Sequence, residues 1–193
     1  SGEDRDLEQT QLVFGIEGLK NCDIDKYSLR ALTIILGGGM SSRLFQEIRE
    51  RKGLCYSIFA FSQIEKTFGT LGFYAGTSPN NVDELIETSL KEWKKIKSSV
   101  SDHEISRAKA QMKAGFIMGQ ESNSSRAEYV AKCIIDYGRI MKNDEVQEKI
   151  ENITINSISE VAEKLISSSH PVLSVIGPGA KEYKKLGLSS LFN

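Results

Sequence analysis

Between Thr10 and Gly18 the chain alternates sides, with Leu12, Phe14 and Ile16 on one and Gln11, Val13, Gly15 and Glu17 on the other. A period of two marks a strand with one buried face. The period then lengthens. Leu29, Leu32, Ile35 and Leu36 fall at helical spacing, which predicts a helix capped by Asp25 and running to about Leu36. Gly37-Gly38-Gly39 interrupts it. Ser41 or Ser42 then caps a second helix carrying Leu44, Phe45 and Ile48, and Gly53 is placed to end it. Two aromatic-rich runs follow, residues 55–65 and 70–77, and the short turn between them predicts a hairpin.

Helical spacing dominates the second half. Pro79, Asn80 and Asn81 open a long helix with Val82, Leu85, Ile86, Leu90, Trp93 and Ile96 on its buried side. Asp102 caps the next (Ile105, Ala108, Met112, Phe116), and Ser124 or Ser125 starts another (Val130, Cys133, Ile134, Tyr137). A short charged helix is expected near residues 144–151. Ser157 caps a last one bearing Ile158, Val161, Ala162, Leu165 and Ile166, and residues 172–176 form a final strand. Strands and helices are segregated rather than alternating. That order predicts an α+β fold, a mainly antiparallel sheet with helices packed on one face. Residues 10–193 form one domain. Residues 1–9 read as a linker end or a remnant of expression, and the Ser1-Gly2 start points to a longer natural polypeptide.

Composition removes several function classes. The 193 residues carry 25 Lys+Arg against 26 Asp+Glu, a formal net charge of −1, which leaves no electrostatic footprint for nucleic acid. No apolar run approaches the roughly 18 residues of a membrane span, and no signal peptide opens the chain. The cysteines Cys22, Cys55 and Cys133 are an odd number with no CxxC, so a disulfide framework or a cysteine zinc knuckle is not expected. Free thiols fit a reducing compartment: a bacterial cytoplasm or, alternatively, a mitochondrial matrix.

Candidate chemistry is sparse. His103-Glu104 opens like an HExxH zinc helix, but Arg107 stands at the second histidine position, and His170 is alone. A hydrolytic zinc site takes three protein ligands, so no metal site is expected in this chain. No GxSxG elbow occurs, and Cys55 and Cys133 read as small apolar packing residues. The glycine segment GGGMSSRLF offers two readings. It could be a backbone nest for an anion or carboxylate, with Gly37, Gly38 and Gly39 as binding residues, or a flexible connection between helices. In RERKGLCY, Arg49 lies in the last helical turns and Tyr56 opens the next strand, so the Gly53 turn can bring them together. A guanidinium and a phenol converging there are donors to a polarised carbonyl oxygen.

The segment GGGMSSRLFQEIRERKGLCYSI, residues 37–58, resembles the C-terminal-half signature of the pitrilysin/mitochondrial processing peptidase family of zinc metallopeptidases. The surrounding order, from the LVFGIEG strand to the final VIGP strand, is similar to that half as well. The resemblance implies two homologous α+β halves closing a chamber. The N-terminal half would bind zinc through H-x-x-E-H and supply the general base. This half would lack metal ligands and provide substrate contacts, with Arg49 and Tyr56 hydrogen-bonding the substrate backbone and its oxyanion. An extended peptide would add to a sheet edge of the active half. No H-x-x-E-H occurs here, so the chain alone is expected to be inactive. Lys52 stands where arginine is more usual in the family.

Two other readings remain open at this point. One is a non-catalytic structural or partner subunit of the same family. The other is an α+β module binding a phosphate or small anion at residues 37–42. The expected partners are the N-terminal catalytic half, fused or separate, and an extended peptide substrate. An apolar face meant for the missing half also offers a route to a homodimer.

Overall fold

A computed structural model describes residues 1–168 and 170–185, so residues 186–193 of the expected domain lie outside the described residues. The alternation seen in the sequence becomes β2 (Thr10–Glu17), the middle strand of a five-stranded sheet. The other strands are β1 (Gly2–Glu3), β3 (Cys55–Ile64), β4 (Gly69–Thr77) and β5 (Val172–Ile176), in the order β1-β5-β2-β4-β3. β5–β2, β2–β4 and β4–β3 are antiparallel, and β1 alone runs parallel to β5. The lead-in expected to be linker therefore contributes an edge strand. The Ser1 ammonium donates to the Leu173 carbonyl at 2.6 Å, and the Gly177 amide donates to Glu3 at 3.1 Å.

Six α-helices accompany the sheet among the described residues: α1 (Lys26–Gly37), α2 (Val82–Lys95), α3 (Asp102–Glu121), α4 (Asn123–Tyr137), α5 (Asn143–Glu151) and α6 (Ile155–Ser168). Their positions match the apolar spacing, but several caps sit a few residues upstream of those expected. Ser101, not Asp102, caps α3 in a reciprocal box with Glu104. Ser122 caps α4 through the Ser125 amide. Thr154 and Ser157 bond each other's amides at 3.1 Å, so α6 starts at Ile155. Asp25 makes no side-chain cap at all.

One face of the sheet is buried. Phe14 on β2 stacks on Phe73 of β4 at 5.2 Å, and Trp93 of α2 meets both rings edge-on or tilted, at 5.5 and 6.0 Å. That aromatic trio anchors α2 to the sheet centre. α1 crosses β3 with no side chain between the backbones: a Cβ on Gly37 would lie 2.2 Å from the Ala60 amide nitrogen. The opposite face presents Val13, Phe59 and Tyr74, whose last two rings are 5.0 Å apart.

Phe14→Ala should cost about 3–5 kcal/mol by urea denaturation, because it opens a cavity between three rings. Val13→Ala, one residue along on the outer face, should cost under about 1 kcal/mol.

Candidate functional site

Two local departures from regular structure set the positions of Arg49 and Tyr56. The segment expected to be a second α-helix is instead a π-helix (Phe45–Arg51), in which the Lys52 amide reaches the Glu47 carbonyl five residues back at 3.2 Å. Leu44, just ahead of it, and Ile48 within it are still buried, which is why spacing alone did not separate the two forms. Gly53, at φ +62°, reverses the chain, and the Leu54 amide closes the turn on the Ile48 carbonyl at 2.9 Å. Isolated π-turns are rare in proteins and concentrate at functional sites.

The second departure is a β-bulge. Ser57 pairs with Gly76 and Cys55 with Thr77, so Tyr56 is an extra residue with no partner on β4. Had the ladder been regular, residue 56 would share the inner face with Ile58 and residue 55 would point outward. The extra residue exchanges them: Cys55 is 8% exposed and Tyr56 is 75% exposed. Bulges re-aim side chains in this way.

The structure brings the two expected residues together. The Arg49 guanidinium lies 5.4 Å from the Tyr56 ring centroid and 4.6 Å from that of Phe45, with the Glu50 carboxylate 4.0 Å away. These are cation–π distances. The two rings orient the guanidinium while Tyr56 stays open to solvent. A fixed fork of N–H donors beside a phenol can hydrogen-bond one carbonyl oxygen from two directions. Cys55 offers no competing nucleophile. Burial pushes its thiol up to about 11 against the opposing charge of Arg49, so it is protonated at neutral pH.

The glycine loop divides. Gly37 is buried as the last residue of α1, and the Gly38 amide bonds the Ile34 carbonyl at 2.9 Å; Gly39 is exposed. Between this loop and the π-helix, Arg43 clips the assembly to α3. It donates to both oxygens of Glu104 at 2.7 and 2.9 Å and to the Ser99 carbonyl at 2.7 Å. Sequence reasoning missed this pair. The Ser101-x-x-Glu104 box could be read in the sequence, but nothing local marks Arg43 as its long-range partner.

Among the described residues no group of three or more His, Cys, Asp or Glu could hold a metal ion. The zinc that the resemblance implies therefore has no fit among the described residues of this chain. No helix among them is long and apolar enough to cross a membrane.

The family model described as the peptidase M16 inactive domain matches residues 2–112. Over 175 residues the chain is 35% identical to an uncharacterized zinc protease of Rickettsia felis, covering 90% of this chain and 42% of that protein. It is 33% identical to one of Streptomyces coelicolor, over 90% of this chain and 38% of that protein. The chain belongs to the peptidase M16 family, as its inactive C-terminal domain. It spans roughly two-fifths of the length of these curated relatives, at 42% and 38%. A protease from Helicobacter pylori shares the fold with a TM-score of 0.82 at 22% identity, over 92% of this chain and 43% of that one. A chain of complex III2 from Candida albicans does so with 0.80 at 22% identity, over 92% and 46%.

Burial draws the Glu104 carboxyl upward, but hydrogen bonds from Arg43 and from the Ser101 amide and hydroxyl, with the charge of Arg43, outweigh it and bring it to about 2. A depressed carboxyl stabilises the fold above its ordinary value near 4.5, and that contribution is lost as pH falls towards 2. Urea midpoints between pH 5 and 2 should therefore drop in the wild type. Arg43→Ala should cost about 2 kcal/mol at pH 7 and flatten that acid limb. An unchanged acid limb in the variant would contradict the assignment.

Proposed function

We propose that this chain is the substrate-binding, chamber-closing domain of a zinc metalloendopeptidase of the processing-peptidase type. It is inactive by itself because the zinc-binding H-x-x-E-H half lies outside it. The juxtaposition of Arg49 and Tyr56 carries the reading. It is built by a π-helix and a bulge, two departures from regular structure that together leave Tyr56 open to solvent beside Arg49. Arg49 and Tyr56 donate hydrogen bonds to the carbonyl oxygen of the scissile peptide bond, and the bonds tighten as that oxygen gains charge. Zinc and its water are supplied by the other half. Gly39 is the member of the glycine loop whose backbone remains exposed for a substrate contact, while Gly37 serves packing.

The relatives are named zinc proteases and come from bacteria, which supports the activity and a bacterial origin; the setting we propose is the bacterial cytoplasm. The fold's occurrence in complex III2 supports a second reading, a non-catalytic partner subunit. Val13, Phe59 and Val172 leave an apolar outer face for the catalytic half, or for a second copy in its absence.

The test is reconstitution. Mixed with a matching N-terminal half and zinc, the chain should support cleavage of a quenched presequence-type peptide that neither half cleaves alone. Tyr56→Phe or Arg49→Ala should each lower kcat by about 10²–10³, as removal of an oxyanion donor does. Cleavage by both variants at the wild-type rate would overturn the assigned roles. Binding of the halves without cleavage of any peptide would favour the partner-subunit reading.

A further inference from the structure

Two cavities meet among the helices, at residues that the Arg49–Tyr56 site does not use. The larger, about 480 Å³, lies between α1 and α3 and reaches Ser62 of β3. The smaller, about 270 Å³, lies between α1 and α4. Tyr27, Arg30, Phe116 and Val146 line both, so the two form one cleft. Proteins hold small molecules in clefts of about 300–1,000 Å³. The walls are braced. The buried Lys26 ammonium donates to the Asn21 backbone carbonyl at 2.8 Å, to its side-chain oxygen at 2.9 Å, and to the Tyr137 hydroxyl. Asn21 in turn donates to Asp136. The Tyr129 hydroxyl donates to the Met141 carbonyl at 3.1 Å, and its ring meets Phe116 edge-on at 5.6 Å.

Lys26 and Asp136 are thus spent within the fold, and Lys132 faces Glu65 at 3.8 Å. Arg30 is not. Among the described residues neither its guanidinium nor the Tyr27 hydroxyl has a hydrogen bond or an ion pair, and the guanidinium only lies 6.0 Å from the Tyr27 ring. Arg30 is also the single charged residue on the larger cavity, whose walls include Ile34, Met112, Phe116, Val146 and Ile150. Glu128, an acid with no partner, lines only the smaller one. Gly115 completes the larger cavity from the middle of α3. A Cβ there would meet nothing within 4 Å, and glycine inside a helix is destabilising relative to alanine. Packing within the chain does not call for a glycine at 115, whereas room in the cleft does.

We propose that this cleft binds a small monocarboxylic acid with an unbranched apolar chain, its carboxylate held by Arg30 and Tyr27 and its chain lying past Gly115 between α1 and α3. A guanidinium fork takes a carboxylate through two parallel hydrogen bonds. Burial pushes the Tyr27 phenol up, so it keeps its proton at neutral pH and adds a further donor. One unpaired cation beside an apolar wall selects a ligand with one negative charge and an apolar body, and a cationic head meets only repulsion there. The free carboxylate of Glu128 sets the direction, because it repels the anion from the smaller cavity and leaves the larger one for the chain.

Octanoate is the probe, titrated into the 193-residue chain by calorimetry and by backbone amide NMR, with octylammonium as the control of opposite charge. Octanoate should bind at one site and shift the amides of residues 27–34 and 112–119 while leaving those of residues 45–56 unmoved. Octylammonium should bind at least about tenfold more weakly. Arg30→Gln should weaken octanoate at least about tenfold without changing the melting temperature. Gly115→Leu should abolish octanoate binding and raise the melting temperature by about 2 °C, since the side chain fills the cleft and improves the helix. Absence of octanoate binding, equal binding of octylammonium, or binding that both substitutions leave intact would overturn the proposal. So would slowed hydrogen exchange at the same amides that grows with protein concentration without octanoate, which would assign the cleft to a second copy. Protection by the catalytic half that octanoate does not displace would assign it to that half and overturn the proposal equally.

Discussion

A sheet buried on one face holds every strand to a two-residue alternation, and the single extra residue in β3 is the point on which the site depends. Without it, Tyr56 would turn into the core beside Ile58 and Cys55 would face solvent. The insertion is tolerated because the strand is braced on both sides of the break. Leu54 is tied back to the π-helix through its amide. Further along, Gly37 lets α1 lie directly on Ala60. The same bracing carries the π-helix, so Arg49 and Tyr56 are positioned by one continuous piece of chain rather than by two separate elements.

Charge placement follows the same plan. Arg43 is spent on Glu104 and the carbonyl of Ser99, so it fixes the loop ahead of the π-helix and is not free for a ligand. Arg49, six residues later, has aromatic rings around it and a carboxylate only at 4.0 Å, and it keeps donor capacity for something outside the chain. Lys52 bonds Glu84 at 2.8 Å and Thr88 at 3.1 Å, contacts that a lysine satisfies without a guanidinium.

Much of the fold could be read before the structure because the buried stripes are strong: Leu12, Phe14 and Ile16 for β2, and Leu85, Ile86, Leu90 and Trp93 for α2. The convergence of Arg49 and Tyr56 was also legible, since Gly53 marks a turn between them. What was hidden depended on pairing. A π-helix differs from an α-helix in which carbonyl each amide chooses, and Leu44 and Ile48 are buried in either case. A bulge exists only relative to a partner strand. The caps at Ser101, Ser122 and Thr154 were misplaced because several serines and acids crowd each helix start, and hydrogen bonding decides among them. The Arg43–Glu104 pair joins segments 61 positions apart, which local patterns do not show.

The central claim is that Tyr56 meets the substrate at the reacting bond. It is tested most directly by replacing Tyr56 with the photo-crosslinking residue benzoylphenylalanine, in the chain reconstituted with a catalytic half whose general base has been removed. On illumination with a bound peptide, the account predicts crosslinks to the one or two substrate residues flanking the scissile bond. Crosslinks only to the partner half, or none to the peptide while it remains bound, would contradict it.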